Sequence, residues 1–289
     1  MVLLFFAVLF IVPDKEFLFK NALGDCSGRA QFMYNALYTD KKEADVVLFG
    51  SSRIMNGVYD SAFGKNKILN LGYCRFGRNL DAFFIEEYLK THQPKKIILE
   101  VRSEEGSNSH PLTPFLMPVS KIANDFYTLD GDVISNLYNK WLCNLKFTRS
   151  KIFTIEDATV FETKVQYGFW ANLTDPDLIA ITAKRVEDSL ELLTETPQKK
   201  MNRNSEFYFE KIKKACDEKN VKLYFLYIPS FGNVYKRPAL QKEYLTYATC
   251  IIPPDSVFCN SSNFADYNHL NKNGARQLSI WFNNYLESR

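Results

Sequence analysis

From residue 44 onward, short apolar runs alternate along the chain with stretches whose apolar residues recur at helical spacing. Val46 to Phe49, Ile68 to Leu71, Lys96 to Val101 and the run VKLYFLYIP that begins at Val221 read as strands. Between them, Leu80 to Thr91 places Phe83, Phe84, Tyr88 and Leu89 on one helical stripe, and Ser205 to Glu218 does the same with Phe209, Ile212 and Cys216. A last helix over Lys272 to Leu286 sets Ala275, Leu278, Phe282 and Tyr285 on one face, the spacing of a side packed on a core. Strands without polar alternation, separated by amphipathic helices, predict βα units and a largely parallel sheet covered on both faces. The expected fold is therefore a three-layer α/β/α arrangement with a flavodoxin-like parallel sheet.

The rhythm breaks between about residues 106 and 204, where aromatic-rich segments such as DVISNLYNKWLCNLKF and DLIAITAKRVEDSLELLTE read as helices. This stretch is expected to be an insertion packed over the carboxyl edge of the sheet, within one α/β domain over residues 21 to 289. The first twelve residues are almost wholly apolar and stop at Pro13, Asp14 and Lys15. A spanning helix needs roughly 20 apolar residues, so residues 1 to 20 are expected to be part of a membrane anchor, with an amino-terminal core strand or hairpin as the alternative.

Composition narrows the function classes. Of 289 residues, 46% are hydrophobic and 24% charged, ordinary usage for a folded globular body. The 36 basic and 33 acidic residues leave a formal charge of +3, too balanced for a nucleic-acid footprint. Six cysteines form no C-x-x-C pair, so a zinc site is not expected, and the chemistry implied below needs no metal or other cofactor. Cys250 and Cys259 flank a short loop and could pair outside the cytoplasm, whereas Cys74 and Cys216 read as buried thiols.

Candidate chemistry concentrates at two places. Gly50, Ser51, Ser52 and Arg53 follow the first strand directly, at the carboxyl end where open α/β sheets bind ligands. Of the three histidines, His92 and His110 read as surface residues, while His269 stands in DYNHLNKNGA with Asp266 three positions earlier. A carboxylate there can reach the imidazole and fix its tautomer. Each piece alone has a plainer explanation, because Ser, Asp and His near helix starts commonly cap the helix. Glycines at 72 and 77 sit near phosphate-loop spacing, but Arg78 and Asn79 stand where Lys and Ser/Thr are required. Adjacent carboxylates such as Glu104 and Glu105 point apart on a regular element and make a poor acid/base pair.

Together, GSSR after an early strand, NLG after the next and DYNHLN before the last helix resemble the SGNH/GDSL hydrolase superfamily. The resemblance covers the sheet-forming parts and leaves the insertion unexplained. It implies Ser52 as nucleophile, with Ser51 in place of the usual Asp, His269 as base, Asp266 as the residue orienting it, and the Ser52 and Gly72 amides as oxyanion donors. The family's third block carries a Gly-x-Asn whose Asn also donates; here EVRSEEG offers Arg102 and Ser103 as substitutes or substrate contacts, and Arg53 beside the nucleophile as a group for an anionic or sugar substrate. The GSSR and DxxHLN blocks resemble a bacterial envelope branch, which implies a serine esterase or O-acyltransferase acting on an acylated carbohydrate or envelope polymer, anchored on the extracytoplasmic side of a membrane. A catalytically degenerate binding or assembly protein of the same fold is the alternative implied by the altered third block.

Overall fold

A computed structural model describes residues 7–20, 27–40, 43–59, 63, 67–106, 110, 112–124, 133–153, 181–183, 200–231, 237–258 and 260–288. Five strands, β1 (Val46–Gly50), β2 (Ile68–Gly72), β3 (Lys96–Val101), β4 (Lys222–Tyr227) and β5 (Thr249–Ile251), form one parallel sheet in the order β2-β1-β3-β4-β5. This is the flavodoxin-like order, with the topological reversal between β1 and β3. The register pairs Gly50 with Gly72 and Phe49 with Leu99, so the carboxyl ends of β1, β2 and β3 share one edge.

Alternation within the apolar runs divides the core in two. Val47, Phe49, Leu71, Leu99 and Phe225 enter the layer with helices α4 (Arg78–Tyr88), α8 (Arg203–Glu218) and α9 (Gln241–Tyr247). Val46, Leu48, Ile98 and Leu226 face the opposite layer, where α3 (Ser52–Gly57), α10 (Asp255–Phe258) and α11 (Lys272–Glu287) pack. Both faces are buried, which is why the strands carry no polar alternation. The outer edge of β2 is closed by Arg29 on helix α2 (Ser27–Tyr34): its Nε donates to Gly72 O at 2.8 Å and its Nη2 to Asn70 O at 2.7 Å. Those carbonyls would otherwise be free on an edge strand. Burial holds the Arg29 guanidinium down to about 9.

The amino-terminal stretch departs from the sequence expectation. Among the described residues no helix is long and apolar enough to cross a membrane. Residues 7–20 instead fold back on the body, with Val8, Leu9, Leu18 and Phe19 buried and helix α1 spanning Lys15–Lys20. The 21-residue helix α7 (Val133–Phe153), packed on the short helices α5 (Thr113–Leu116) and α6 (Val119–Asn124), receives them, Asn144 Nδ2 donating to Val8 O, Leu9 O and Ile11 O at 2.9–3.0 Å. The anchor expectation, and the anchored extracytoplasmic placement built on it, are thereby corrected: Val8, Leu9, Leu18 and Phe19 are buried in protein, and the break at Pro13 and Asp14 lets the chain turn between the two pairs.

Helix α7 matches the helical pattern of the inserted stretch; of the second helical segment in that stretch only residues 181–183 are described, and they are helical. The cysteine expectations change too. Cys74 is disulfide-bonded and Cys250 is a free thiol, so a Cys250–Cys259 bridge is excluded. Cys259 itself lies outside the described residues.

Candidate active site

The turn from β1 into α3 is dictated by three small residues. Gly50 takes φ 145°, which a side chain would resist, and a Cβ there would lie 2.5 Å from the Glu100 Cβ. Ser51 then caps α3, its Oγ accepting from Arg53 N–H at 3.2 Å. Ser52 is left as the first residue of the helix, where its N–H has no intrahelical acceptor. Capping therefore accounts for Ser51 and leaves Ser52 without a structural duty.

The second stretch is held by its own backbone. Phe264 and Leu270 form an antiparallel bridge, and Ala265 N–H donates to His269 O at 2.9 Å. Inside this turn Asp266 Oδ1 accepts the N–H groups of Asn268 and His269 at 2.7 and 2.8 Å. Helix α11 is capped by Asn271, whose side chain accepts from Asn273 and Gly274. Neither Asp266 nor His269 is the helix cap.

The two stretches meet at the carboxyl edge of the sheet. Ser52 Oγ lies 2.7 Å from His269 Nε2, and His269 Nδ1 lies 2.8 and 2.9 Å from the two Asp266 oxygens. Because the carboxylate only accepts, Nδ1 carries the proton, and Nε2 is free to accept from the serine. Burial pushes the Asp266 carboxyl up, but the His269 hydrogen bond and the two backbone donors outweigh it and leave it below its usual range. Serine, imidazole and carboxylate are thus aligned for proton transfer away from Ser52 Oγ.

The Arg53 guanidinium, expected beside the substrate, is hydrogen-bonded to the protein itself. Its Nη1 donates to Ile228 O at 3.1 Å, and its Nη2 to Ser230 Oγ at 2.8 Å and to Asn268 Oδ1 at 2.6 Å. It ties the nucleophile's helix to the end of β4 and to the residue before His269. Gly72 also differs from expectation: its N–H donates to Asn70 Oδ1 at 3.0 Å, and a Cβ there would lie 2.6 Å from Met55 N. The glycine serves the close approach of α3 to β2, and its amide is already engaged. Arg102 lies 3.3 Å from Glu100 Oε1 with its guanidinium 3.8 Å over the Phe76 ring, while Ser103 Oγ faces Tyr227 and accepts from Ala239 N–H at 3.4 Å. Among the described residues, neither is hydrogen-bonded to Ser52 or His269.

Glu100, buried near the end of β3, was not apparent in the sequence. Its Oε2 accepts both the N–H and the Oγ–H of Ser51 at 2.7 Å. Burial would raise its carboxyl, yet Arg102, Arg53 and the Ser51 bonds together hold it below its ordinary value. A second buried ionic cluster lies next to it: Arg78 donates to both Glu105 oxygens at 2.8 Å and to Asp81 at 2.9 Å, and the Tyr244 hydroxyl is 2.5 Å from Glu105. This explains Arg78 in the glycine-containing loop as a structural cation. His110 is another correction, being buried rather than on the surface: Leu112 N–H donates to its Nδ1 and its Nε2 lies 2.6 Å from Cys74 O.

No protein-family model and no curated protein matches the chain. Among solved structures, the chain is similar to one described as "The structure of a putative platelet activating factor from Streptococcus pneumonia", at 13% identity over 90% of this chain and 91% of that one, with a TM-score of 0.34. At that level of likeness the neighbour adds nothing to the chemical argument, which rests on the α/β sheet and on the side chains at its edge.

Proposed function

We propose that the protein is a serine ester hydrolase or O-acyltransferase that works through an acyl-enzyme on Ser52. The observation carrying this reading is the unbroken line from Ser52 Oγ through His269 to Asp266, with both hydrogen-bond steps under 3 Å. His269 Nε2 takes the Ser52 proton as Oγ attacks the ester carbonyl, and the Asp266 carboxylate stabilises the imidazolium that forms. The imidazolium returns that proton to the leaving alkoxide, leaving Ser52 acylated. A water or a sugar hydroxyl then gives its proton to Nε2 as it attacks the acyl carbon, and the imidazolium passes that proton to Ser52 Oγ as the bond from the serine to the acyl carbon breaks. The Ser52 N–H, which has no acceptor among the described residues, is the donor for the oxyanion. The sequence resemblance extends the substrate class to acylated carbohydrate.

The test is turnover of a small activated acetyl ester by the full chain and by Ser52→Ala. Removing a triad nucleophile costs up to ~10⁶ in kcat, so the variant should fall to background; equal rates in both proteins would defeat the proposal. Adding an acceptor sugar separates the two activities, since transfer yields an acylated sugar and hydrolysis yields free acid. The engaged Gly72 amide favours, as a second reading, an acylated-polymer binding protein. That reading is supported only if both proteins are inactive and both bind the polymer.

A further inference from the structure

A cavity of about 410 Å³ lies between the amino-terminal stretch and the outer half of the α4 layer, within the range of small-molecule sites. Its walls are apolar: Leu9, Leu18 and Phe19 on one side, Phe83, Leu116 and Val119 on the other. Phe83, Glu87 and Lys90 line it, residues toward or beyond the end of α4, and α4 runs from the carboxyl edge of the sheet toward the amino edge. The cavity is therefore remote from Ser52 and is not part of the site described above.

One wall residue is out of place. Lys140 on α7 lines the cavity with only 3% of its surface exposed, and among the described residues no carboxylate pairs with its ammonium. The other lysines around the cavity are matched: Lys15 and Lys90 both reach Glu87, and Lys121 reaches Glu86. A buried ammonium without an anion is costly. Burial in fact holds Lys140 down to about 8. At the lip, Phe10 and Val12 are 66% and 85% exposed, an apolar approach to the opening.

We propose that this cavity binds a single-chain amphiphile with an anionic head, a fatty carboxylate, its head on Lys140 and its chain along the apolar walls. The charge complementarity is specific: four lysines surround the cavity against two glutamates already shared among three of them. The carboxylate supplies the missing counter-charge, and the chain takes the apolar surface out of water.

Calorimetric titration of the full chain with dodecanoate, dodecan-1-ol and dodecyltrimethylammonium, each below its aggregation threshold, tests this. The expected result is saturable one-to-one binding of dodecanoate, at least tenfold tighter than the alcohol, with no binding of the cation. Lys140→Met, which keeps the volume and removes the charge, should lose at least tenfold in dodecanoate affinity. Should that variant not fold, Ser120→Trp, placed at an exposed position of the cavity wall, should lower the affinity by a similar factor. Ser52→Ala should bind dodecanoate as the parent does, which keeps this result independent of the ester chemistry. Equal affinity for all three probes, no binding of dodecanoate, unchanged binding by Lys140→Met, or loss of binding in Ser52→Ala would each overturn the proposal.

Discussion

Glu100 sits directly beneath Ser51, and one carboxylate oxygen takes both the backbone N–H and the hydroxyl of that serine at 2.7 Å. The serine beside the nucleophile is thereby fixed from below while its Oγ caps the helix above it. Arg53 and Arg102 supply the counter-charge for a carboxylate that has no access to water.

Glu100→Gln should destabilise the fold by about 3 kcal/mol, because it removes a buried charge on which two arginines depend. A urea midpoint lowered at unchanged slope is the expected record. A shift under ~0.5 kcal/mol would mean that the carboxylate carries little.

Asp266→Asn should cut ester turnover by ~10⁴ with little effect on stability. The amide oxygen can still accept from the backbone N–H groups of Asn268 and His269, so the turn survives. Its NH₂ would face Nδ1 and select the tautomer that carries the proton on Nε2, where it cannot accept from Ser52. Turnover and thermal midpoint measured on the same preparation check both halves.

Arg53→Lys should lower kcat by ~10–10² with KM little changed, since a single ammonium cannot satisfy three acceptors on two loops. A KM effect alone would instead return Arg53 to a substrate-binding role.

His110 is held down to about 4 by burial, against 6.5 in an exposed chain. It therefore stays neutral in the fold while the unfolded chain takes up a proton below pH 6.5. Its contribution, about 3 kcal/mol, is complete above pH 6.5 and is lost as the pH falls toward 4. Asp81, pushed up to about 7 by burial, acts in the opposite sense: the fold binds its proton more readily, and that contribution fades as the pH rises from 4 to 7. The parent's dependence is the sum of both, so the measurement is the difference in urea stability between parent and His110→Gln at pH 7.5 and 4.5. The variant should lose less on acidification, and identical losses would contradict the assignment.

The sheet was legible because β1 to β4 are buried on both faces over most of their length, which leaves mainly apolar runs bounded by polar loops. The strand β5 was not, because Thr249–Ile251 is three residues long and is recruited only by pairing with β4. Ser52, His269 and Asp266 could be singled out because each sits in a local motif at an element boundary. Glu100 could not, since nothing in IILEV says that a hydroxyl and two guanidinium groups from elsewhere will surround its carboxylate. His110 failed for the same reason, since a polar loop looks solvated until Cys74 arrives from a distant part of the chain, and nothing at the first turn of α3 shows that Ile228, Ser230 and Asn268 will surround Arg53. The amino-terminal run was misread because an unbroken apolar stretch suits lipid and protein alike, and only the bonds from Asn144 to Val8, Leu9 and Ile11 show what receives its described part.

Ser52 and His269 stand 217 positions apart, and α11 follows the imidazole immediately. A molecule truncated ahead of Asp266 would keep every strand yet leave the hydroxyl without its proton acceptor. The pair consequently forms only once the segment carrying the imidazole, made long after the serine, has docked against the sheet.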